Sequence, residues 1–181
     1  MKLNVTIEIP KHSNIKYEYD RKTKQIVVDR ILYGSMVYPQ NYGFIADALD
    51  FDGDELDILV IADQAIAPGI SVPVRIVGAM EMIDGGETDT KLLGVIDCDP
   101  RYSQINKFAD IPTHLLFEIK DFFENYKNLQ NKKVEILGFK NDVWAVEELA
   151  FCQQLMKEYG SLDKAEFVKL MKTKYPEKYT K

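Results

Sequence analysis

The spacing of apolar residues changes once along this chain, from every second position to every third or fourth. Leu3, Val5, Ile7 and Ile9 alternate with polar residues, the pattern of a half-buried strand. Ile15 to Asp20 alternates too, which puts Lys16, Glu18 and Asp20 on one face. Arg21-Lys22-Thr23-Lys24 joins it to a return strand over Gln25 to Arg30, a hairpin with a loop of ordinary length. Tyr33 to Phe44 is rich in aromatic and turn residues and reads as an ordered loop. Further strands are expected over Ile58–Ile61, Ile70–Met82, Lys91–Ile96 and Val134–Phe139. Pro73 suggests an edge or a strand start, and Asp84-Gly85-Gly86-Glu87 reads as a turn. From Pro112 onward Leu115, Leu116, Ile119, Phe122, Phe123, Tyr126 and Leu129 recur at helical spacing. Asp142 to Tyr159 predicts a second helix closed by Gly160. A third, capped by Ser161, carries Phe167, Leu170 and Met171. Many strands followed by helices predict a single α+β domain over residues 1–181, built on a small curled sheet or barrel.

At 181 residues the chain can bury a sizeable core without disulfides or metals as staples. A net charge of −6 argues against a broad nucleic-acid surface, which needs a basic footprint. Cys98 and Cys152 lie far apart with no metal-ligand spacing and read as reduced thiols. No stretch is long and apolar enough to span a bilayer, and the first residues lack the apolar core of a signal peptide. The expected location is the cytoplasm, with no membrane and no nucleic-acid partner.

Chemistry concentrates in Asp52-Gly53-Asp54-Glu55-Leu56-Asp57-Ile58, which packs three aspartates and a glutamate ahead of an apolar run. Two like charges at about 4 Å cost roughly 4 kcal/mol at an effective dielectric near 20. Such a run is therefore either a solvated turn or a cation site, and oxygen donors favour Mg²⁺ over Zn²⁺. An EF-hand is excluded: with Asp50 as its first position, Glu55 stands where glycine is required and Ile61 where a bidentate glutamate is required. A second acidic patch, Asp84, Glu87 and Asp89, surrounds the Gly85-Gly86 turn and precedes Lys91. Two acidic loops at strand ends can converge on one pocket, and several ions sharing carboxylates clamp phosphoryl oxygens. The cations such a substrate needs are available in Lys16, Arg30, Lys91 and Lys127. Arg30 is the strongest candidate, a guanidinium at a strand end. Tyr42 and Tyr126 offer phenolic donors. His12 and His114 are too few for a histidine-rich metal site, and the Gly-rich phosphate loop of the P-loop NTPases is missing.

These residues resemble the soluble inorganic pyrophosphatases of family I. The acidic run fits that family's signature: aspartate, a small residue, aspartate, proline or glutamate, an apolar residue, aspartate, an apolar residue. Other landmarks follow in the family's order: Glu8-Ile9-Pro10, Lys16-Tyr17-Glu18, Val28-Asp29-Arg30, Tyr38-Pro39, Asn41-Tyr42-Gly43, Asp84 to Lys91, and Phe122 to Lys127. The resemblance implies a small closed five-stranded OB-like barrel with additional strands and C-terminal helices, assembled as a homohexamer. It implies hydrolysis of pyrophosphate to two orthophosphates by a metal-activated water, with several Mg²⁺ ions per subunit and Mn²⁺ or Zn²⁺ as substitutes. By the same resemblance Asp52, Asp57 and Asp89 hold a metal pair, Asp84 a further ion and Glu8 another. Asp54 is the general base, oriented by Tyr42. Lys16, Arg30, Tyr42, Lys91, Tyr126 and Lys127 meet the phosphates, and Glu18 and Tyr38 support them. Gly85-Gly86 departs from bulkier family members and implies a more flexible second loop. Ser161 to Lys181 extends past the usual end and carries no expected catalytic role. The alternative is a non-catalytic barrel that binds divalent cations or oligonucleotides.

Overall fold

Apolar strands need hydrogen-bonding partners on both edges, and here they obtain them by closing on themselves. A computed structural model describes residues 1–179. Its strands are β1 (Lys2–Ile9), β2 (Ile15–Asp20), β3 (Gln25–Ile31), β4 (Asn41–Leu49), β5 (Glu55–Ile61), β6 (Ser71–Asp84), β7 (Glu87–Thr88), β8 (Lys91–Ile96) and β9 (Val134–Lys140). Its α-helices are α1 (Thr113–Asn125), α2 (Asp142–Tyr159) and α3 (Lys164–Lys174). Strands β1, β4, β5, β8 and β6 pair in that order, and β6 returns to β1. The result is the closed five-stranded barrel expected. Strand β6 runs on past the barrel to pair with β7 and β9, while β2 and β3 form a separate hairpin.

Both faces of the barrel strands are covered, which is why Ile58 to Ile61 reads as a continuous apolar run rather than an alternating one. Leu56, Ile58 and Val60 pack in a cluster with Ala145, Leu149 and Cys152 of α2. Leu59 and Ile61 face the other way, into a cluster with Leu116, Ile119, Phe122 and Phe123 of α1. A third cluster joins Leu49 and Phe51 to Leu155, Phe167, Met171 and Tyr179, and so docks α3.

Several expectations need correction. Residues 41–44 are strand, not loop: they open β4, which lies between β1 and β5. Asn and Gly are poor strand formers, but two flanking strands override propensity. Helix α1 ends at Asn125, and Leu129 follows in an exposed 3₁₀ turn. The cap of α3 is Asp163, not Ser161; its carboxylate accepts from Ala165 N at 3.0 Å. Gly160 does follow α2, but at φ −61° it is right-handed. Crowding favours glycine there all the same, since a Cβ would lie 2.5 Å from Met156 O. Pro73 is third in the fourteen residues of β6, near a strand start as read. Of the 161–181 extension, Thr180 and Lys181 lie outside the described residues.

Candidate active site

The centre of the site is set by strand register. Strands β5 and β8 run parallel with Asp57 beside Lys91. In the β4–β5 pairing Tyr42 lies opposite Leu59, two residues from Asp57 and on the same face. The Tyr42 hydroxyl donates to Asp57 Oδ2. Lys91 Nζ donates to the same oxygen at 2.5 Å and also to Asp89 Oδ1. Its ammonium lies 5.4 Å from the centre of the Tyr42 ring, close enough for a cation–π contact. Lys91 is only 3 % exposed, so one buried cation neutralises part of a carboxylate pair. Tyr42 therefore orients Asp57 and not Asp54, because Asp54 sits in the turn before β5, beyond the register that aligns Tyr42.

That turn is shaped by Gly53, whose φ of +87° suits glycine and few other residues. It lets Asp54 N donate to Asp52 Oδ1 at 2.9 Å. Beneath the turn lies Asp50, fully buried, which accepts from Phe51 N at 2.7 Å and from Thr90 N at 3.1 Å. Asp50 thus ties the first acidic loop to the second. The sequence reading missed this role, since nothing in the acidic run separates a buried tie from its exposed neighbours.

The second loop is a two-residue hairpin turn closed by the Asp84–Glu87 pair. Gly85 and Gly86 have φ of 62° and 88°, and such a turn demands positive φ at both centres. The two glycines therefore match what the turn geometry requires. Asp84 pairs with Lys127, whose ammonium lies 5.3 Å from the ring centre of Tyr126. Helix α1 sets both, because Tyr126 caps its end and stacks on Phe122 at 5.1 Å. Glu87 turns away and pairs with Lys172 at 2.9 Å.

The β2–β3 hairpin supplies the far wall. Lys16 and Arg30 are register partners, and Asp29 is the extra residue of a bulge between them. Lys16 pairs with Glu18 and with Asp29, the latter at 3.3 Å, and Arg30 pairs with Asp29. Arg30 Nε is buried with no hydrogen-bond partner among the described residues. From β1 comes Glu8, buried, accepting from Tyr19 N at 2.6 Å. Tyr38 closes the floor against Tyr42 and Phe122, at ring distances of 5.5 and 4.8 Å.

All fourteen residues expected in the site line one cavity of about 320 Å³. Burial, aided by Asp57, raises the Glu8 carboxyl to about 8. Burial with Asp89 and Asp54 nearby raises Asp52 to about 8. Asp57 is also raised by burial, despite Lys91, while burial lowers Lys127. The protein's own cations do not carry the full negative charge of this cavity. The acidic groups that line it are carboxylates, oxygen donors that suit a hard ion such as Mg²⁺. Sequence reasoning also missed Lys164 of α3, whose Nζ lies 2.5 Å from Asp54 Oδ2.

A closed barrel with a cavity that interleaves carboxylates with lysines and an arginine suits a metal-dependent hydrolase of phosphoric anhydrides. The family model for inorganic pyrophosphatase matches residues 5–157. An inorganic pyrophosphatase of Ureaplasma parvum is 71% identical over 181 residues, covering 100% of both chains. Solved inorganic pyrophosphatases of Thermus thermophilus and Helicobacter pylori both superpose at TM-score 0.83. They are 39% and 42% identical and cover 86% of this chain, and 91% and 94% of their own. The chain belongs to the inorganic pyrophosphatase family, and it hydrolyses pyrophosphate to two orthophosphates. That sets aside the non-catalytic and oligonucleotide-binding alternatives. The family is metal-dependent, generally on Mg²⁺. Among the described residues no helix is long and apolar enough to cross a membrane.

Proposed function

We propose that this pyrophosphatase works with Mg²⁺ held in the cavity by Asp52, Asp57 and Asp89, with Asp84 and Glu8 taking the further ions. The observation that carries this reading is the convergence of both acidic loops and four cations on one cavity. Bound there, the metal supplies charge neutralisation of the substrate and a lowered pKa for attacking water. Asp54 would be the proton acceptor for the attacking water, a contribution of about 10²–10⁴-fold for a positioned base. Lys91 and Lys127 are paired with carboxylates. Both ammonium groups would meet phosphate oxygens once those carboxylates held metal. Arg30 offers its unpartnered Nε and Lys16 its ammonium to the second phosphate, held in place by Asp29 and Glu18. Tyr126 donates a phenolic hydrogen bond to substrate. Tyr42 fixes Asp57 and Tyr38 packs behind Tyr42. No covalent nucleophile is required, because phosphoryl transfer of this kind rests on positioning and charge stabilisation.

Residues 1–181 form one catalytic unit on this reading, with 161–181 as an added helical segment. Mn²⁺ and Zn²⁺ replace Mg²⁺ with altered rate, and the protein works in the cytoplasm as a homohexamer. Exposed Phe117, Leu129 and Val143 offer apolar area for such assembly. The test is phosphate release from pyrophosphate. Activity is expected with Mg²⁺, loss with chelator, and a fall of at least about 100-fold in Asp54→Asn at unchanged thermal midpoint. Full turnover by Asp54→Asn would remove Asp54 as the base.

A further inference from the structure

The segment after residue 157 lies outside the span of the family match, yet it touches both acidic loops. Phe167 and Met171 bury against the Phe51 cluster. The Tyr179 hydroxyl donates to Phe51 O at 2.6 Å, and Thr88 Oγ1 donates to Lys178 O. Lys172 holds Glu87, and Lys178 reaches Glu148 of α2 at 3.1 Å. At the near end stands Lys164, the first residue of α3, with Nζ 2.5 Å from Asp54 Oδ2. Its stem packs on the turn itself: a Cβ on Gly53 would lie 2.9 Å from Lys164 Cγ. Asp163 fixes the start of the helix through Ala165 N. Asp54 lines the cavity, and its Oδ1 has no hydrogen-bond partner among the described residues. The two oxygens of this carboxylate are thus unlike, one paired with Lys164 and the other without a partner among the described residues.

We propose that Lys164 is a positioning residue for Asp54: it holds one carboxylate oxygen so that the other faces the proton to be taken. The inference rests on the reading of Asp54 as proton acceptor. Without Lys164, a carboxylate whose side chain is 59% exposed on a turn would sample several rotamers, and reaction requires one orientation. An ion pair this exposed adds little to stability. Its loss should therefore register in turnover and not in unfolding.

The experiment measures kcat, KM for pyrophosphate with saturating Mg²⁺, and Tm. The proteins are wild type, Lys164→Met, Lys164→Arg, Asp54→Asn, the Asp54→Asn/Lys164→Met double variant and Lys172→Met. Lys164→Met should lose about three- to tenfold in kcat, with KM within about twofold and Tm unchanged. Lys164→Arg should return to within about twofold of wild type, since its fork reaches the same oxygen. In the Asp54→Asn background Lys164→Met should cost nothing further, because the residue it positions is gone. Lys172→Met, which loosens the same segment without touching Asp54, should keep its kcat. Wild-type kcat in Lys164→Met would overturn the proposal. So would an equal loss in the Asp54→Asn background or in Lys172→Met. Wild-type turnover by Asp54→Asn would instead overturn the reading of Asp54, and this inference with it.

Discussion

Lys91 shows how closely charge is balanced inside this site. It is buried between Asp57 and Asp89 and stands over the Tyr42 ring. Breaking such a buried arrangement by removing one partner typically costs about 3–5 kcal/mol, because the remaining charges lose their compensation. Lys91→Met in the presence of chelator should therefore lose about that much unfolding free energy. Urea denaturation measures it, and excess Mg²⁺ should recover most of the loss by giving the carboxylates another cation. Tyr42→Phe removes the donor to Asp57 and should cost about 1.5–3 kcal/mol under the same conditions. At this scale the sequence was informative where residues form a local pattern. The aspartates at 52, 54 and 57 announce themselves by density, and Arg30 by its strand-end position. Asp50 and Lys164 do not, because their meaning comes from partners 40 and 110 residues away.

Each acidic loop depends on the elements that carry it. The first is held from below by Phe51, which α3 and Tyr179 cover. Phe167 is 1% exposed in that cluster, and Phe167→Ala should lower unfolding free energy by about 3–5 kcal/mol. A fall well under 1 kcal/mol in urea titrations would show that α3 is not docked as described. Gly53→Ala is strained at φ +87° and meets Lys164; it should weaken Mg²⁺ binding, read by titration calorimetry. Periodicity found β1, the β2–β3 hairpin, β8, β9 and the limits of α2, because their apolar faces repeat cleanly. It missed β4, whose opening Asn41, Tyr42 and Gly43 look like a turn until β1 and β5 flank them. It misplaced the cap of α3 because Ser161 and Asp163 are both competent caps, and only the helix's actual start chooses between them.

Across the whole molecule the barrel brings two distant stretches of chain to one mouth, and the energetic signature is a pH dependence of the metal-free protein. Glu8 and Asp52 titrate near 8 when folded, against 4.5 and 3.8 ordinarily. Between those values the folded state binds more protons than the unfolded one, so stability falls as pH rises. Asp97, held low first by Lys2, and Asp99, held low by Arg101, titrate below this window. The thermal midpoint of chelated protein should thus decline from about pH 5 to about pH 8, and Mg²⁺ should flatten the decline. A midpoint that rose over that range would contradict the burial of these carboxylates. The central claim is that the two acidic loops form a single metal-holding cavity, and crystals soaked with Mn²⁺ and phosphate test it most directly. Anomalous peaks are expected among Asp52, Asp57 and Asp89, at about the 3.5–4 Å separation of two-metal sites, with further density at Asp84. Peaks that avoid this cavity, or that occupy one loop and never the other, would contradict the account.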